Sequence, residues 1–229
     1  MEPLNFPSNA QSGAPSLIQT YMQRVYQWMA AGLALTGFVA YWTSGNLGLV
    51  KALYGGLFFP VLLVELGLVF WLSSQAQKIS AKAAVIGFSI YSALNGMTLS
   101  YIFLVYAQSS IATVFLMTAA TFAGVSLYGW TLKRDLGSMG SFFAMALIGI
   151  IVTSLINIFL KSPALEWVIS YAGVALFIAL TAYDTQKLKA IHQNYPDAPE
   201  QMAVLGALTL YLDFINMFLF LLRIFGRRK

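Results

Sequence analysis

The chain has 229 residues, 59% of them hydrophobic and 9% charged, whereas a soluble domain carries about 25% charged residues, so the sequence describes an integral membrane protein. Lys and Arg number 13 against 8 Asp and Glu; in so apolar a chain such an excess holds loops on the cytoplasmic side, and nucleic acid is not an expected partner. There is no cysteine and only one histidine, His192, which excludes disulfides, thiolate and iron–sulfur sites, cysteine nucleophiles and a histidine metal centre, and no cofactor is expected.

Residues 1–24 hold Glu2 and three of the seven prolines, with no basic cluster ahead of the first apolar run. They do not resemble a cleaved signal peptide and read as a disordered cytoplasmic tail. Crossing the hydrocarbon takes about 20 apolar residues in a helix, and charged residues divide residues 25–226 into one seven-helix transmembrane domain. The first two segments are 25–43 and 52–72. Between Ala83 and Leu132 no residue is charged, and a straight helix of that length would span about 75 Å, more than twice the hydrocarbon thickness. The stretch therefore turns back once, at the polar Tyr106-Ala107-Gln108-Ser109-Ser110, giving helices over 83–105 and 111–130.

Lys161-Ser162-Pro163 separates segments 141–160 and 165–183. The polar stretch from Asp184 to Gln201 follows, in which Asp197-Ala198-Pro199-Glu200 reads as the cap and first turn of a last segment over 202–224. Small residues four apart, such as Gly32 and Thr36 or Ala119 and Ala123, read as helix-packing positions. Aromatic residues near segment ends, among them Tyr41, Trp42, Trp130 and Trp167, read as interface anchors.

With the N-terminus inside, the inner side holds Arg24, Lys78, Lys82, Lys133, Arg134, Lys187 and Lys189, against Lys51 and Lys161 outside. That asymmetry places the N-terminus in the cytoplasm. Seven crossings put Arg223, Arg227, Arg228 and Lys229 outside, against the same rule; six crossings with a re-entrant last segment is the competing topology.

Three acidic residues lie within or at the edge of helices: Glu65, Asp184 and Asp213. A charge at a helix centre in the bilayer costs at least about 2.5 kcal/mol, so each must face the bundle interior, pair or take up a proton. Glu65 reads either as a protonated carboxyl bonded to its neighbours or as a lining residue of an ion path. Asp184 ends the sixth segment and Asp213 lies inside the seventh, joined by one loop, so the two are expected to meet. Carboxyls that meet in a low-dielectric setting cannot both ionise cheaply and hold one proton between them, which makes a pH switch between two helices. A hard cation with oxygen ligands, Ca²⁺ above all, is able to replace that proton. Asn216, one turn beyond Asp213, is placed to offer its amide to the same cavity.

Thr181-Ala182-Tyr183-Asp184-Thr185-Gln186-Lys187 and Gly206-Ala207-Leu208-Thr209-Leu210-Tyr211-Leu212-Asp213-Phe214-Ile215-Asn216 resemble the signature of the Bax inhibitor-1 family. Tyr26 to Leu33, Lys133-Arg134-Asp135-Leu136 and Asn157 to Leu160 add to the likeness, which runs from about residue 20 to residue 226. The resemblance implies a seven-helix bundle whose last helix is central and surrounded by the other six. It implies a pH-sensitive Ca²⁺ leak with Asp184 and Asp213 as the proton sensor, and Glu65 matches an acidic position of the family's second helix. A bacterial relative carries an arginine cluster near the inner end of that helix, where this chain reads Ser73-Ser74-Gln75-Ala76-Gln77-Lys78, so the resemblance does not supply a basic latch on the aspartates. The wording of the motifs is that of a bacterial inner-membrane protein.

Other classes fit less well, and no enzymatic activity is expected. An intramembrane aspartyl protease of the presenilin type would carry Gly-x-Gly before its second aspartate and Pro-Ala-Leu after it, whereas Leu210-Tyr211-Leu212 precedes Asp213 and Pro163-Ala164-Leu165 precedes both aspartates. A retinal protein needs a lysine in its last helix, and Met202 to Leu222 has none. A secondary transporter often has broken helices at matching positions of two halves, which this sequence does not show. The alternative to a leak is a non-transporting modulator of a membrane protease or other membrane partner, to which some bacterial relatives are linked.

Overall fold

The structure is a computed structural model that describes residues 17–75, 78–194 and 199–229. It is all-α. The helices are α1 (Leu17–Ser44), α2 (Leu47–Ala52), α3 (Phe58–Ser74), α4 (Ala81–Val105), α5 (Gln108–Thr131), α6 (Gly140–Leu160), α7 (Pro163–Asn194) and α8 (Glu200–Phe225). Helix α2 runs into α3 through a wider π-type turn at Leu53–Leu57, where the backbone of Gly56 leaves helical geometry. The Gly55-Gly56 pair is a common cause of such a kink, and Pro60 falls in the first turn of α3, where its lack of an N–H breaks no intrahelical bond. Among the described residues six helical stretches are long and apolar enough to cross a membrane: Leu47–Ser74, Ala81–Val105, Gln108–Thr131, Gly137–Leu160, Pro163–Ile191 and Glu200–Phe225. The less apolar α1 is not among them.

The core lies along α8. In its most apolar 18-residue window 72% of the residues are buried, against 6% for the span that contains α6. Helices α1, α4, α5 and α7 pack on α8, and Val204, Ala207, Leu210, Tyr211 and Met217 are fully enclosed. Conversely, Phe59, Phe70 and Phe159 are more than 70% exposed, which suits a surface facing hydrocarbon rather than water. The closest helix approaches occur at glycines. A Cβ at Gly96 of α4 would stand 2.6 Å from the Thr36 carbonyl oxygen of α1, and one at Gly129 of α5 would stand 2.6 Å from the Ala182 carbonyl oxygen of α7. Only a residue without a side chain allows backbones so near one another. Gly32 and Thr36 are buried in the α1–α4 contact, while Ala30 and Ala34 beside them are exposed.

Three boundaries differ from those read in the sequence. Residues 17–24, assigned to the disordered tail, form the first turns of α1, where Tyr21 and Met22 are buried and the Tyr21 hydroxyl donates to the Met202 carbonyl over 3.3 Å. Residues 1–16 of that tail lie outside the described residues. Asp184 does not end its helix, because α7 continues to Asn194: charge ends a membrane span but does not break a helix. The polar turn between α4 and α5 is only Tyr106-Ala107. Of the expected cap on the last helix, Asp197 and Ala198 lie outside the described residues, and Pro199 occupies the N-cap position without a side-chain hydrogen bond.

The chain after α8 turns back on the α4–α5 connection. Tyr106 and Arg228 form an isolated antiparallel bridge, the Ala107 amide donates to the Arg227 carbonyl over 3.0 Å, and the Lys229 amide donates to the Val105 carbonyl over 2.8 Å. Arg228 also pairs with Glu166 of α7 at 3.7 Å.

Candidate functional site

Helices α7 and α8 are antiparallel neighbours joined at one end, and their lengths set the depth of the acidic residues. Asp184 lies ten residues before the end of α7 at Asn194, and Asp213 lies thirteen after the start of α8 at Glu200; at 1.5 Å per residue these are about 15 and about 20 Å from the same end of the hairpin. The depths agree because α7 runs past Asp184. The two carboxyls are near enough to act on each other and are 8% and 4% exposed. No N–H or O–H donor reaches Asp213 Oδ2 among the described residues. Two carboxyls that face each other in so apolar a site cannot both ionise cheaply.

The pair opens onto a cavity of about 520 Å³ between α6, α7 and α8, which Thr209 and Asn216 also line. The Asn216 amide nitrogen is bonded to the Leu212 carbonyl at 2.8 Å. Helix α6 forms the outer wall, and Phe143 is its one buried residue. Among the described residues no third histidine or acidic residue joins the aspartates in a metal-binding cluster. The oxygen donors gathered there are two carboxyls, an amide and a hydroxyl, a set that suits weak, reversible binding of a hard cation better than a resident metal.

Sequence reasoning missed the groups that hold this region in place. Lys187, one turn beyond Asp184, is near enough for its charge to act on that carboxyl, and it lies over the Tyr183 ring at 5.9 Å. Gln186 accepts from the Leu136 amide at 2.7 Å and donates to the Arg134 carbonyl at 2.8 Å, which ties the α5–α6 connection to α7. The Lys189 ammonium donates to the Trp130 carbonyl over 3.0 Å. Within Ser73–Lys78, Ala76 and Gln77 lie outside the described residues, and Lys78 forms no ion pair among those described.

Glu65 lies in a second polar cluster, shared by α1, α3, α4 and α8. It accepts from Thr98 Oγ1 at 3.0 Å and from Asn95 Nδ2 at 3.2 Å. Asn95 Oδ1 in turn accepts from the Tyr211 hydroxyl at 3.0 Å. That hydroxyl stands 2.7 Å from Thr36 Oγ1, which bonds the Ser92 carbonyl at 2.8 Å. Glu65 is 5% exposed and does not line the cavity of the aspartates. The signal for this cluster was present in the sequence: Ser92, Asn95 and Thr98 are polar at three-residue steps, one stripe on an otherwise apolar helix.

The fold and the site together define a multi-pass α-helical membrane protein with a buried carboxyl pair between its last two helices. Residues 18–229 match the family described as Inhibitor of apoptosis-promoting Bax1, and the chain belongs to this, the Bax inhibitor-1 family. Among its relatives, the inner membrane protein YbhL of Escherichia coli is 49% identical over 218 residues, 93% of each chain. An uncharacterized protein of Deinococcus radiodurans is 46% identical over 92% of each chain. Another, of Borreliella burgdorferi, is 42% identical over 91% of this chain and 92% of its own.

Proposed function

We propose that this protein is a pH-sensitive cation leak, for Ca²⁺ in particular, gated by Asp184 and Asp213, and that it is not an enzyme. One observation carries the reading: two buried carboxyls from successive helices line the edge of one cavity, a setting that favours one proton shared between them. Loss of that proton leaves two facing negative charges, which separate α7 from α8 or take a cation in the proton's place. Asn216 and Thr209 then add neutral oxygen ligands. Glu65 serves the same path as a lining residue only if its hydrogen bonds to α4 open.

The proposed topology has seven crossings, with α1 as the first, the N-terminus in the cytoplasm and α8 at the centre of the bundle. Its 28 residues make α1 about 42 Å long, enough to span the bilayer, and it packs on α4 and α8. The excess of Lys and Arg on the side of Arg24 supports the orientation. The name of the E. coli relative supports a bacterial inner membrane.

The test is Ca²⁺ flux into liposomes holding the purified protein, scanned from about pH 5 to about pH 8, beside Asp184→Asn and Asp213→Asn. A pH-dependent flux that both variants flatten is the expected result. Flux no greater than in protein-free liposomes at every pH would remove the leak reading and leave a non-transporting modulator of a membrane protease or another membrane partner. Partner binding that survives Asp213→Asn would then support the second reading.

A further inference from the structure

At the end of the bundle where α6 stops and α7 starts, a second cavity of about 560 Å³ is lined by Lys161, Glu166, Arg223 and Arg228. Three cations face one carboxylate there. Arg228 pairs with Glu166 at 3.7 Å, while Lys161 and Arg223 form no ion pair among the described residues. Arg223 lies 5.4 Å from the centre of the Phe220 ring, which leaves the edge of its guanidinium to donate. The aromatic pair Trp167 and Tyr171, stacked at 5.7 Å and at least half exposed, stands in the first turns of α7 at the same end. Such exposed aromatics belong at the level of lipid headgroups.

This basic cavity adjoins the apolar one below it. Ser154 and Ile158 of α6 line both, and Phe220 beneath Arg223 lines the deeper cavity. That cavity is walled by Leu147, Ile151, Leu155, Phe177 and Leu212 and ends at the aspartates. Asp213 lies ten residues before Arg223 on α8, about 15 Å at 1.5 Å per residue. One leaflet of hydrocarbon is also about 15 Å deep, half of roughly 30 Å. A charged mouth at headgroup level, opening on an apolar groove one leaflet deep, has the shape and polarity of a phospholipid.

We infer that the α6–α8 groove is a binding site for an anionic phospholipid, its phosphate on Arg223 and Lys161 and one acyl chain running between α6 and α8 toward Asp213. Guanidinium presents paired donors that match two phosphate oxygens. The net charge of the mouth selects a lipid of net negative charge over a zwitterionic one, whose own cation would meet Lys161 and Arg223. With Phe143 the one buried residue of α6, the groove lies toward the lipid side of the bundle. None of this depends on cation transport, and the lipid would bind equally in a protein that moves no ion.

The test uses the full chain in nanodiscs of mixed phosphatidylcholine and phosphatidylglycerol, with native mass spectrometry of the lipids that stay bound. Wild type should retain phosphatidylglycerol about tenfold over its bulk proportion. Lys161→Gln with Arg223→Gln should abolish the enrichment, and Lys133→Gln at the opposite end should keep it. Ser154→Phe, which leaves every cation in place and blocks the junction of the two cavities, should lower retention, and Arg223→Lys should preserve much of it. Equal retention of the two lipids by wild type, or enrichment unchanged in the double variant, overturns the inference. Displacement of the lipid by excess inorganic phosphate also overturns it, since the site would then be one for a free anion.

Discussion

The carboxyls of Asp184 and Asp213 reach each other only because α7 continues ten residues beyond Asp184 before the chain turns. A proton on either one removes the repulsion between them. As pH rises and that proton leaves, the folded state holds two facing charges in an apolar site and loses stability; as pH falls, the loss is reversed. The unfolding temperature in detergent should therefore be lower near about pH 8 than near about pH 5, by about 2–4 °C for each kcal/mol in a chain of this size. Asp184→Asn keeps a hydrogen-bonding partner for Asp213 and removes one charge, so its unfolding temperature should vary less over the same range. An unfolding temperature of the wild type that does not change with pH would show that the two carboxyls do not interact.

Gly129 fixes the distance between α5 and α7. A Cβ there would stand 2.6 Å from the carbonyl oxygen of Ala182 and 2.9 Å from its Cα, and backbone cannot move aside as a flexible side chain does. Gly129→Val should cost about 1–3 kcal/mol and, since Ala182 is two residues from Asp184, should also displace that carboxyl. Thermal unfolding measures the first effect, and the pH dependence of unfolding measures the second.

Gln186 holds the α5–α6 connection by bonds at 2.7 and 2.8 Å. Gln186→Leu removes both while filling similar space, at a cost of about 0.5–1.5 kcal/mol for each bond lost. Hydrogen exchange at the Leu136 amide should accelerate, and trypsin should cut sooner at Lys133 and Arg134. Exchange elsewhere along α7 should stay as in the wild type.

Tyr211 is fully enclosed and its hydroxyl is the link between α8 and the polar groups of α1 and α4. Tyr211→Phe leaves the ring packing on Phe88 and Tyr91 intact but strands Asn95 Oδ1. The expected loss is about 1–3 kcal/mol. A double-mutant cycle with Thr36→Val should give a coupling of about 0.5–3 kcal/mol, and a coupling near zero would show that the two hydroxyls act separately.

How much of this could be read from the sequence depended on what sets each feature. The helical class and the apolar stretches followed from composition, because a backbone in hydrocarbon must satisfy its own hydrogen bonds. Helix ends were harder. Segment 165–183 stops where charge begins, but Asp184 to Asn194 contains neither Gly nor Pro, so nothing breaks the helix and α7 continues into the polar region. Residues 17–24 were read as tail for the same reason: a helix at the membrane edge can be polar, and its burial of Tyr21 and Met22 depends on packing that no local pattern shows. The meeting of Asp184 with Asp213 was expected from connectivity. The ties of Gln186 and the bonds of Glu65 are tertiary and left only the faint polar stripe on α4, whereas Lys187 is a local neighbour of Asp184 at i,i+3 that the spacing alone offered.

That stripe belongs to a chain of hydroxyls and amides in which protons can be counted. Four contacts run from Glu65 through Asn95, Tyr211 and Thr36 to the Ser92 carbonyl. With Glu65 as a carboxylate, only three protons lie along that line, one each from the Asn95 amide, the Tyr211 hydroxyl and the Thr36 hydroxyl, so one oxygen–oxygen contact is left unfilled. A proton on Glu65, together with a turned-over Asn95 amide, fills all four and reverses the sense of the bonds between Glu65 and Tyr211. With Glu65 ionised, the line is a wire with one vacancy. A proton arriving at α3 reorders the hydroxyl of α8, on the same helix as Asp213, with no heavy-atom movement needed beyond the turn of the Asn95 amide.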